Sequence, residues 1–507
     1  MNYLLKYTTW SLIGCTIGMT NCKNEKENKP PNILLIVADD LNYSSVGSFR
    51  CPIPDVTPNI DTLAAQGIRF TNAHVTTGVC QPSRGAIMTG MYGMHSGIEG
   101  FEHLKKDFPT LTEYLRKAGY LTGMLGKVGH SIPKLSTERD LFDIWKDDAD
   151  IGLGRSPARY YEYSKWLFEK SVQDKKPFFL MANSHDPHRP FYGSETELNN
   201  KRYKDFYEKD IISKPSRIFT AEEMVVPGFL PDLPDVRTEL AQYYSSVRRL
   251  DDMVGEVLKA LKESGVENNT LVIFISDNGM SFPFAKTNCY LNSTKTPFIA
   301  RWPGVIKPGT DTVHFISGID FLPTFLEVSG IPLTTQTDGF SFLPLLKQQP
   351  QDGREKVFTQ FYETSGKNRY PMRAVQDTRF GYIFNPWSDG HRVFKNEPQA
   401  GLTFKAMQEA SSSNTEIHQR VELFLYRVVE EFYDLKNDPD ALNNLINDPA
   451  YSNEVIIMKD SMRRWMIENN DPALHALDKC TEKEALEKYM KDDAELTIQR
   501  RGIPAEK

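Results

Sequence analysis

Four short aliphatic runs, each ending abruptly in polar residues, form the most regular pattern in the chain. Residues 33–38 read Ile-Leu-Leu-Ile-Val-Ala without a polar break, and Asp39 and Asp40 follow at once. A run of that kind predicts a strand buried on both faces of a parallel sheet. The layout recurs: residues 120–125 lead to Lys127 and His130, 178–182 to His185 and His188, and 271–275 to Asp277, Asn278 and Gly279. Between the runs the period lengthens. Leu240, Tyr243, Val247, Leu250, Val254, Leu258 and Leu261 recur every three or four positions, which predicts a helix over 236–264 stopped by Gly265. A second helix is predicted over 110–118, ending at Gly119. Strands alternating with helices build an α/β domain whose ligands bind beyond the carboxyl ends of the strands, and that rule brings the four polar clusters together.

The pattern changes after about residue 350. Residues 358–362, 372–376, 380–384 and 431–435 are short apolar segments separated by turn residues, predicting a small antiparallel sheet, with a turn over 438–445 and a helix over 453–468. The expected organisation is a catalytic α/β domain over 31–365 and a smaller C-terminal α+β subdomain over 366–507. At the other end, Lys6 precedes a fairly apolar stretch over 7–20, too short to span a bilayer but suited to a signal-peptide core over 1–22. Cys15 and Cys22 both sit where a bacterial lipoprotein signal is cut and lipidated; Cys15 has the better preceding residues, and Cys22 leads directly into a polar tether over 23–30. The expectation is an exported protein, periplasmic or lipid-anchored at the cell envelope.

Charge and cysteine usage narrow the chemistry. Sixty Lys and Arg stand against 67 Asp and Glu, a net charge of -7, so no general attraction to nucleic acid or anionic lipid is expected and positive charge for an anionic substrate must be local. Cys51, Cys80, Cys289 and Cys480 are too widely spaced for a disulfide framework or a zinc site. Cys80 needs its own explanation. It opens Cys80-Gln81-Pro82-Ser83-Arg84, followed by Thr89-Gly90. Pro82 suits the first turn of a helix, which places Cys80 at an N-terminus where free N–H groups favour an anion. A buried structural cysteine beside a helix start would be the plain explanation for a lone Cys, but the pentapeptide arises by composition in on the order of one in a thousand chains of this length.

This segment resembles the signature of the type I sulfatases, Cys-x-(Pro or Ala)-Ser-Arg followed by Thr-Gly, and the resemblance extends over nearly the whole chain after the tether. It implies the alkaline-phosphatase-like sulfatase fold, with a large, mostly parallel sheet flanked by helices. It further implies that Cys80 is converted by a maturase to formylglycine, whose hydrate is the nucleophile. A serine in that place would be left as a stable sulfate ester, whereas a geminal diol expels sulfate by collapsing to the aldehyde. Asp39, Asp40, Asp277 and Asn278 match the family's metal ligands, an all-oxygen set suited to Ca²⁺. Arg84 and Lys127 match cations around the sulfate, His185 a histidine that helps protonate the leaving group, and His188 a second histidine of that loop. Two positions depart from the pattern: many sulfatases have Lys-x-His, whereas here Lys127-Val128-Gly129-His130 puts the histidine, by analogy a base in sulfate release, one residue later. Lys286 stands where many O-sulfatases have a lysine and the heparan N-sulfatase branch an arginine.

Several stretches are similar to that branch, among them 178–180 with 185–189, 271–274 through 278–279, Thr287-Asn288 and 370–376. The resemblance implies hydrolysis of N-sulfoglucosamine at the non-reducing end of heparan sulfate or heparin fragments, with Glu363 facing the sugar. The competing readings are an O-sulfatase acting at a 6-, 2- or 3-position of a sulfated glycan, a phosphodiesterase or phosphonate monoester hydrolase, and a non-catalytic glycan-binding lipoprotein.

Overall fold

A computed structural model describes residues 29–104, 109–133, 140 and 142–501. The expected signal, the lipidation sites Cys15 and Cys22 and nearly all of the tether lie outside the described residues. The strands of the large sheet are β1 (Asn32–Asp39), β2 (Ile68–Phe70), β3 (Leu121–Leu125), β4 (Ile144–Lys146), β5 (Phe178–Pro187), β6 (Thr270–Ser276), β7 (Phe298–Arg301) and β8 (Gly309–Asp311). They lie in the order β4-β3-β5-β1-β6-β7-β2-β8. The five strands from β4 to β6 pair in parallel, and β7 alone runs against its neighbours.

β1 sits between β5 and β6, which explains its unbroken apolar run: neither face meets water. Leu34, Ile36 and Ala38 enter one core and Ile33, Leu35 and Val37 the other. Helices cover both faces. The long helix Pro234–Glu263 contributes Leu240, Tyr243, Val247, Leu250 and Val254 to the first core, on the face its periodicity predicts. Leu111 and Leu115 of the helix Leu111–Lys117, with Phe321 and Phe325 of Phe321–Val328, close the second. Thr110 caps the former helix in a reciprocal box with Glu113, whose carboxylate accepts the Thr110 N–H at 2.7 Å.

Four further strands, β9 (Val357–Glu363), β10 (Arg369–Gln376), β11 (Phe380–Phe384) and β12 (Glu430–Asp434), form a separate antiparallel sheet in sequential order. The sheet therefore begins ahead of the boundary expected at 365/366. Two helices that the apolar spacing did not single out, Leu402–Ala410 and Thr415–Tyr426, lie between β11 and β12. This sheet is not a detached unit. Phe361, Met372, Trp387, Phe394 and Phe424 join the first core of the large sheet, and the Gln360 N–H donates to the Thr76 carbonyl at 2.9 Å, next to the loop that delivers Cys80. Among the described residues no helix is long and apolar enough to cross a membrane.

Candidate active site

Parallel strands place their carboxyl ends on one edge of the sheet, and the polar residues that follow β1, β3 and β6, with those closing β5, gather there. Cys80 begins the fully buried helix Cys80–Thr89; Pro82 occupies its first turn, where no N–H is needed, and Gly90 ends it in the left-handed conformation. The Cys80 sulfur lies 3.9 Å from Asp40 Oδ1. Burial, then the carboxylate of Asp39, pushes the Cys80 thiol well above its ordinary pKa, so as a plain cysteine it stays protonated.

Asp39 ends β1 and Asp40 turns away from it with φ 67°, a left-handed conformation that costs a residue with a Cβ roughly 1–2 kcal/mol. The turn is held by the Asp40 N–H, which donates to Asp277 Oδ1 at 3.1 Å, and by the Leu41 N–H, which donates to Ser276 Oγ at 2.9 Å. Asn278 Nδ2 donates to Asp40 Oδ1 at 2.7 Å and to the Gly279 carbonyl at 2.8 Å, which leaves Asn278 Oδ1 buried without a hydrogen bond. Gly279 is obligatory here, because a Cβ would stand 1.8 Å from the Asn292 carbonyl oxygen.

Each of the three aspartates meets its own cation. Lys127, itself left-handed at φ 50°, pairs with Asp39; Arg84 reaches Asp277 Oδ2 through Nε at 2.9 Å and Nη2 at 2.8 Å; Lys286 Nζ donates to Asp40 Oδ2 at 2.7 Å. Burial opposes the charge on Lys127, but Asp39 more than offsets it and holds the ammonium above its ordinary pKa. Positive charge is shared unevenly: burial works against the charge on Asp39, but Lys127, His188 and Arg84 hold it well below the usual carboxylate range, whereas burial, then Asp39, pushes Asp277 up to about 8 despite Arg84. Apart from the Lys127 ammonium on Oδ2, the carboxylate oxygens of Asp39 have no hydrogen-bond donor. Ligand atoms of Asp39, Asp40, Cys80 and His188 lie within 4.8 Å of one another. The unpartnered Asn278 Oδ1 and the Asp39 carboxylate, which meets only Lys127 closely, in an acidic cluster without sulfur or imidazole donors beyond Cys80 and His188, fit a hard divalent cation.

The histidines divide between two sides. His185 Nε2 stands 2.9 Å from Asp148 Oδ1 and 3.3 Å from the Lys127 N–H; burial and Lys127 push the ring down to about 4 against the pull of Asp148. Its ring packs over Gly154, where a Cβ would come within 2.1 Å of His185 Cδ2. His130, on the short helix Val128–Ser131, lies edge-on to Phe101, and burial and Lys127 push it down to about 3. The extra residue between Lys127 and His130 is thus taken up in a helical turn. His188 Nε2 faces Asp40 Oδ2 at 3.9 Å and Glu397 Oε1 at 3.6 Å, on the cation side of the cluster.

Two expectations change. Arg84 is spent within the protein: besides Asp277 it donates to Asn183 Oδ1 at 2.5 Å and is wholly buried, so it braces a carboxylate instead of reaching outward. Glu363 is fully buried, and both its oxygens accept from Arg501 at 2.5 and 2.6 Å, which removes it from the surface a sugar would touch. Arg501 ends the C-terminal helix Lys483–Arg501, whose other neighbour Arg500 pairs with Glu99 and Glu102. In place of Glu363, the site receives a carboxylate that the sequence reading passed over: Glu397 accepts from Lys286 Nζ at 2.6 Å. Glu397 opens a short turn of helix far along the chain, and nothing in its local pattern distinguishes it from a capping acid. Asn183 and Asp148 were also passed over; Asn183 lies on the same strand as His185, and its position near the carboxyl end was a usable signal.

Known proteins resemble this chain over most of its length. The sulfatase family profile matches residues 31–331, and a profile described as N-sulphoglucosamine sulphohydrolase, C-terminal, matches residues 280–391. The human N-sulphoglucosamine sulphohydrolase is 31% identical over 476 residues, covering 89% of this chain and 92% of that protein. An N-acetylglucosamine-6-O-sulfatase of Bacteroides thetaiotaomicron is 24% identical over 527 residues, covering 85% and 92%. Among solved structures, a protein in complex with its substrate D-glucosamine-2-N,6-O-disulfate superposes with a TM-score of 0.62 at 19% identity, covering 88% of this chain and 99% of that one. A 2-O glycosaminoglycan sulfatase superposes with a TM-score of 0.63 at 21% identity, covering 87% and 93%. A helix-borne Cys-x-Pro-Ser-Arg set against three aspartates and two lysines, on an alkaline-phosphatase-like sheet and under a family profile spanning most of the chain, makes this protein a member of the sulfatase family, a hydrolase of sulfate esters or sulfamates.

Proposed function

We propose that the protein removes the N-sulfate from N-sulfoglucosamine at the non-reducing end of heparan sulfate or heparin fragments. The observation that carries the choice of nitrogen is Glu397. Cleavage of an S–N bond releases an amine that becomes cationic, and a part-exposed carboxylate beside Lys286 and His188 offers it a partner that a released hydroxyl would not need. The identity to the human N-sulphoglucosamine sulphohydrolase and the match to the C-terminal profile support the same reading.

Asp39, Asp40, Asp277 and Asn278 would hold the divalent ion, calcium by the hardness of its ligands, and when bound it supplies Lewis acidity to a sulfate oxygen. Cys80, oxidised to formylglycine by a maturase, supplies an aldehyde hydrate that can attack sulfur and later release sulfate. The chain's own groups do the rest. Lys127 and Lys286, buried and held charged by Asp39 and Asp40, present fixed positive charge where anionic oxygens accumulate in the transition state. His185, kept largely neutral at pH 7 and backed by Asp148, is placed to relay a proton, and Lys286 is the alternative donor to the departing nitrogen. Arg84 fixes Asp277, and His130 lines the far side of Lys127. Export, with a lipid tether at Cys22 or Cys15, belongs to the same proposal and is tested by cell fractionation and the mass of the mature N-terminus.

The test of substrate is direct. Enzyme co-produced with a formylglycine-generating maturase is supplied with disaccharides sulfated only at nitrogen or only at one oxygen, and inorganic sulfate is quantified. Release from the N-sulfated sugar is expected; release confined to a 6-, 2- or 3-O-sulfated sugar overturns the proposal in favour of an O-sulfatase.

A further inference from the structure

Two cavities run away from Glu397 over the antiparallel sheet. The first, about 640 Å³, is lined by the amides of Asn368, Asn396, Gln399 and Gln408 together with Glu397 and Phe404. That size falls within the range of roughly 300–1,000 Å³ seen for ligand sites. Amides donate and accept at once, which suits hydroxyl-rich ligands. Asn396 Nδ2 donates to Thr287 Oγ1 at 2.7 Å, and Asn396 and Gln399 cap one another, the Gln399 amide accepting from the Asn396 N–H at 3.1 Å and donating to the Phe394 carbonyl at 2.9 Å, so Asn368 and Gln408 carry the amides left for a ligand. The second cavity, about 510 Å³, shares Asn368, Val393 and Lys395 with the first, so the two form one groove.

The far part of this groove is cationic. Lys367, Arg369, Arg392 and Lys395 line it, with no acidic residue among the lining. Arg369 is already committed to Glu99 and Asp493. Lys367, Arg392 and Lys395 are exposed, and among the described residues none of the three forms an ion pair with a carboxylate. On a chain with a net charge of -7, three exposed cations at the end of an amide-lined channel, only Arg392 having an acid, Asp389, close by, are a local reversal of sign. Glu397 lines one end of the channel and also touches Lys286 and His188, so the channel adjoins the active site at that residue.

We infer that this groove is a subsite for the sugars that follow the one being cleaved. The amides of Asn368 and Gln408 meet the hydroxyls of the next ring, and Lys367, Arg392 and Lys395 bind a sulfate or carboxylate farther along an acidic glycan. The inference rests on the proposed glycan substrate but not on which sulfate is removed. It makes the enzyme prefer chains over single sugars, with the preference falling as salt rises.

Calorimetry on the full-length chain carrying Cys80→Ala, in the presence of calcium, tests this without turnover. The two probes are a heparin tetrasaccharide and the N-sulfoglucosamine monosaccharide. The tetrasaccharide is expected to bind more tightly, and the added changes Lys367→Ala, Arg392→Ala and Lys395→Ala to weaken it roughly tenfold while the monosaccharide is unaffected, since each exposed ion pair contributes a few-fold. Lys367→Glu alone, on an exposed turn, gives the same selective loss if the triple variant folds poorly. Equal affinity for the two probes in the parent, or equal losses for both in the variants, overturns the subsite. Failure of the N-sulfate reading would instead show as sulfate released from oxygen with the chain-length preference intact.

Discussion

Lys286 and Glu397 meet across 111 positions of sequence, with Nζ 2.6 Å from Glu397 Oε2 and 2.7 Å from Asp40 Oδ2. One ammonium therefore links the carboxylate just after β1 to a carboxylate supplied from the connection between β11 and β12 of the antiparallel sheet. Burial works against the charge on Glu397, but Lys286 and then His188 overcome it and hold the carboxyl at about 2.

Lys286→Ala removes the link and leaves two carboxylates facing each other. Turnover is expected to fall by about 10²–10³, as for loss of a transition-state donor. Glu397→Gln keeps the shape and removes the charge; it should cost roughly tenfold in kcat/KM on an N-sulfated sugar, about 1.4 kcal/mol, and leave any O-sulfate activity nearly unchanged. Steady-state kinetics on both substrates checks the pair, and equal losses on the two would remove Glu397 from the choice of nitrogen.

Glu363 and Arg501 make the opposite prediction. Because the pair is internal, Glu363→Gln strands Arg501 and loosens the last turn of the C-terminal helix. A lowered melting temperature with KM unchanged is expected from calorimetry and kinetics together. A rise in KM at unchanged melting temperature would restore Glu363 to the sugar site.

His95 ties the catalytic region to the C-terminal one: Nδ1 lies 2.8 Å from Asp338 Oδ2 and Nε2 2.9 Å from the Asn469 carbonyl. Both ring nitrogens face acceptors, so the imidazolium is favoured and its pKa rises above the ordinary 6.5, chiefly through the Asp338 hydrogen bond. A raised folded-state pKa means that the folded state holds this proton more tightly. The stabilisation is complete below pH 6.5 and is lost as pH climbs through the raised value. Melting temperatures measured against pH should decline over that window, and His95→Gln should flatten this part of the profile.

The acidic cluster predicts its own response to chelation. A cation bound only by the folded state raises stability by mass action. The melting temperature should drop in excess chelator and return with calcium, and Asp39→Asn should abolish the difference. An identical melting curve with and without chelator would show that the buried oxygens of Asp39 and Asn278 do not hold an ion.

Much of this site was legible in the sequence because its parts are local. An aliphatic run with no polar interruption, such as 33–38, has one comfortable place in a parallel sheet, and the residues after it must emerge at the carboxyl edge. Lys127, His185 and Asp277 were fixed by the same reasoning, and Pro82 marked the start of the Cys80 helix. What was not legible depends on tertiary pairing. Glu363 and Glu397 are both acids near the C-terminal sheet; the first is consumed by Arg501 and the second is delivered to Lys286, and neither outcome leaves a trace in the neighbouring residues. Arg84 matched its motif, yet its partners Asp277 and Asn183 come from other strands and determine that it faces inward.

The central claim is that Cys80 works only after its thiol has become an aldehyde above the aspartate cluster. Peptide mass spectrometry of residue 80, run on the same preparations in which sulfate release is quantified, tests it most directly. Activity is predicted to rise in proportion to the converted fraction and to vanish in Cys80→Ala; full activity in protein whose Cys80 is entirely unconverted would contradict the account.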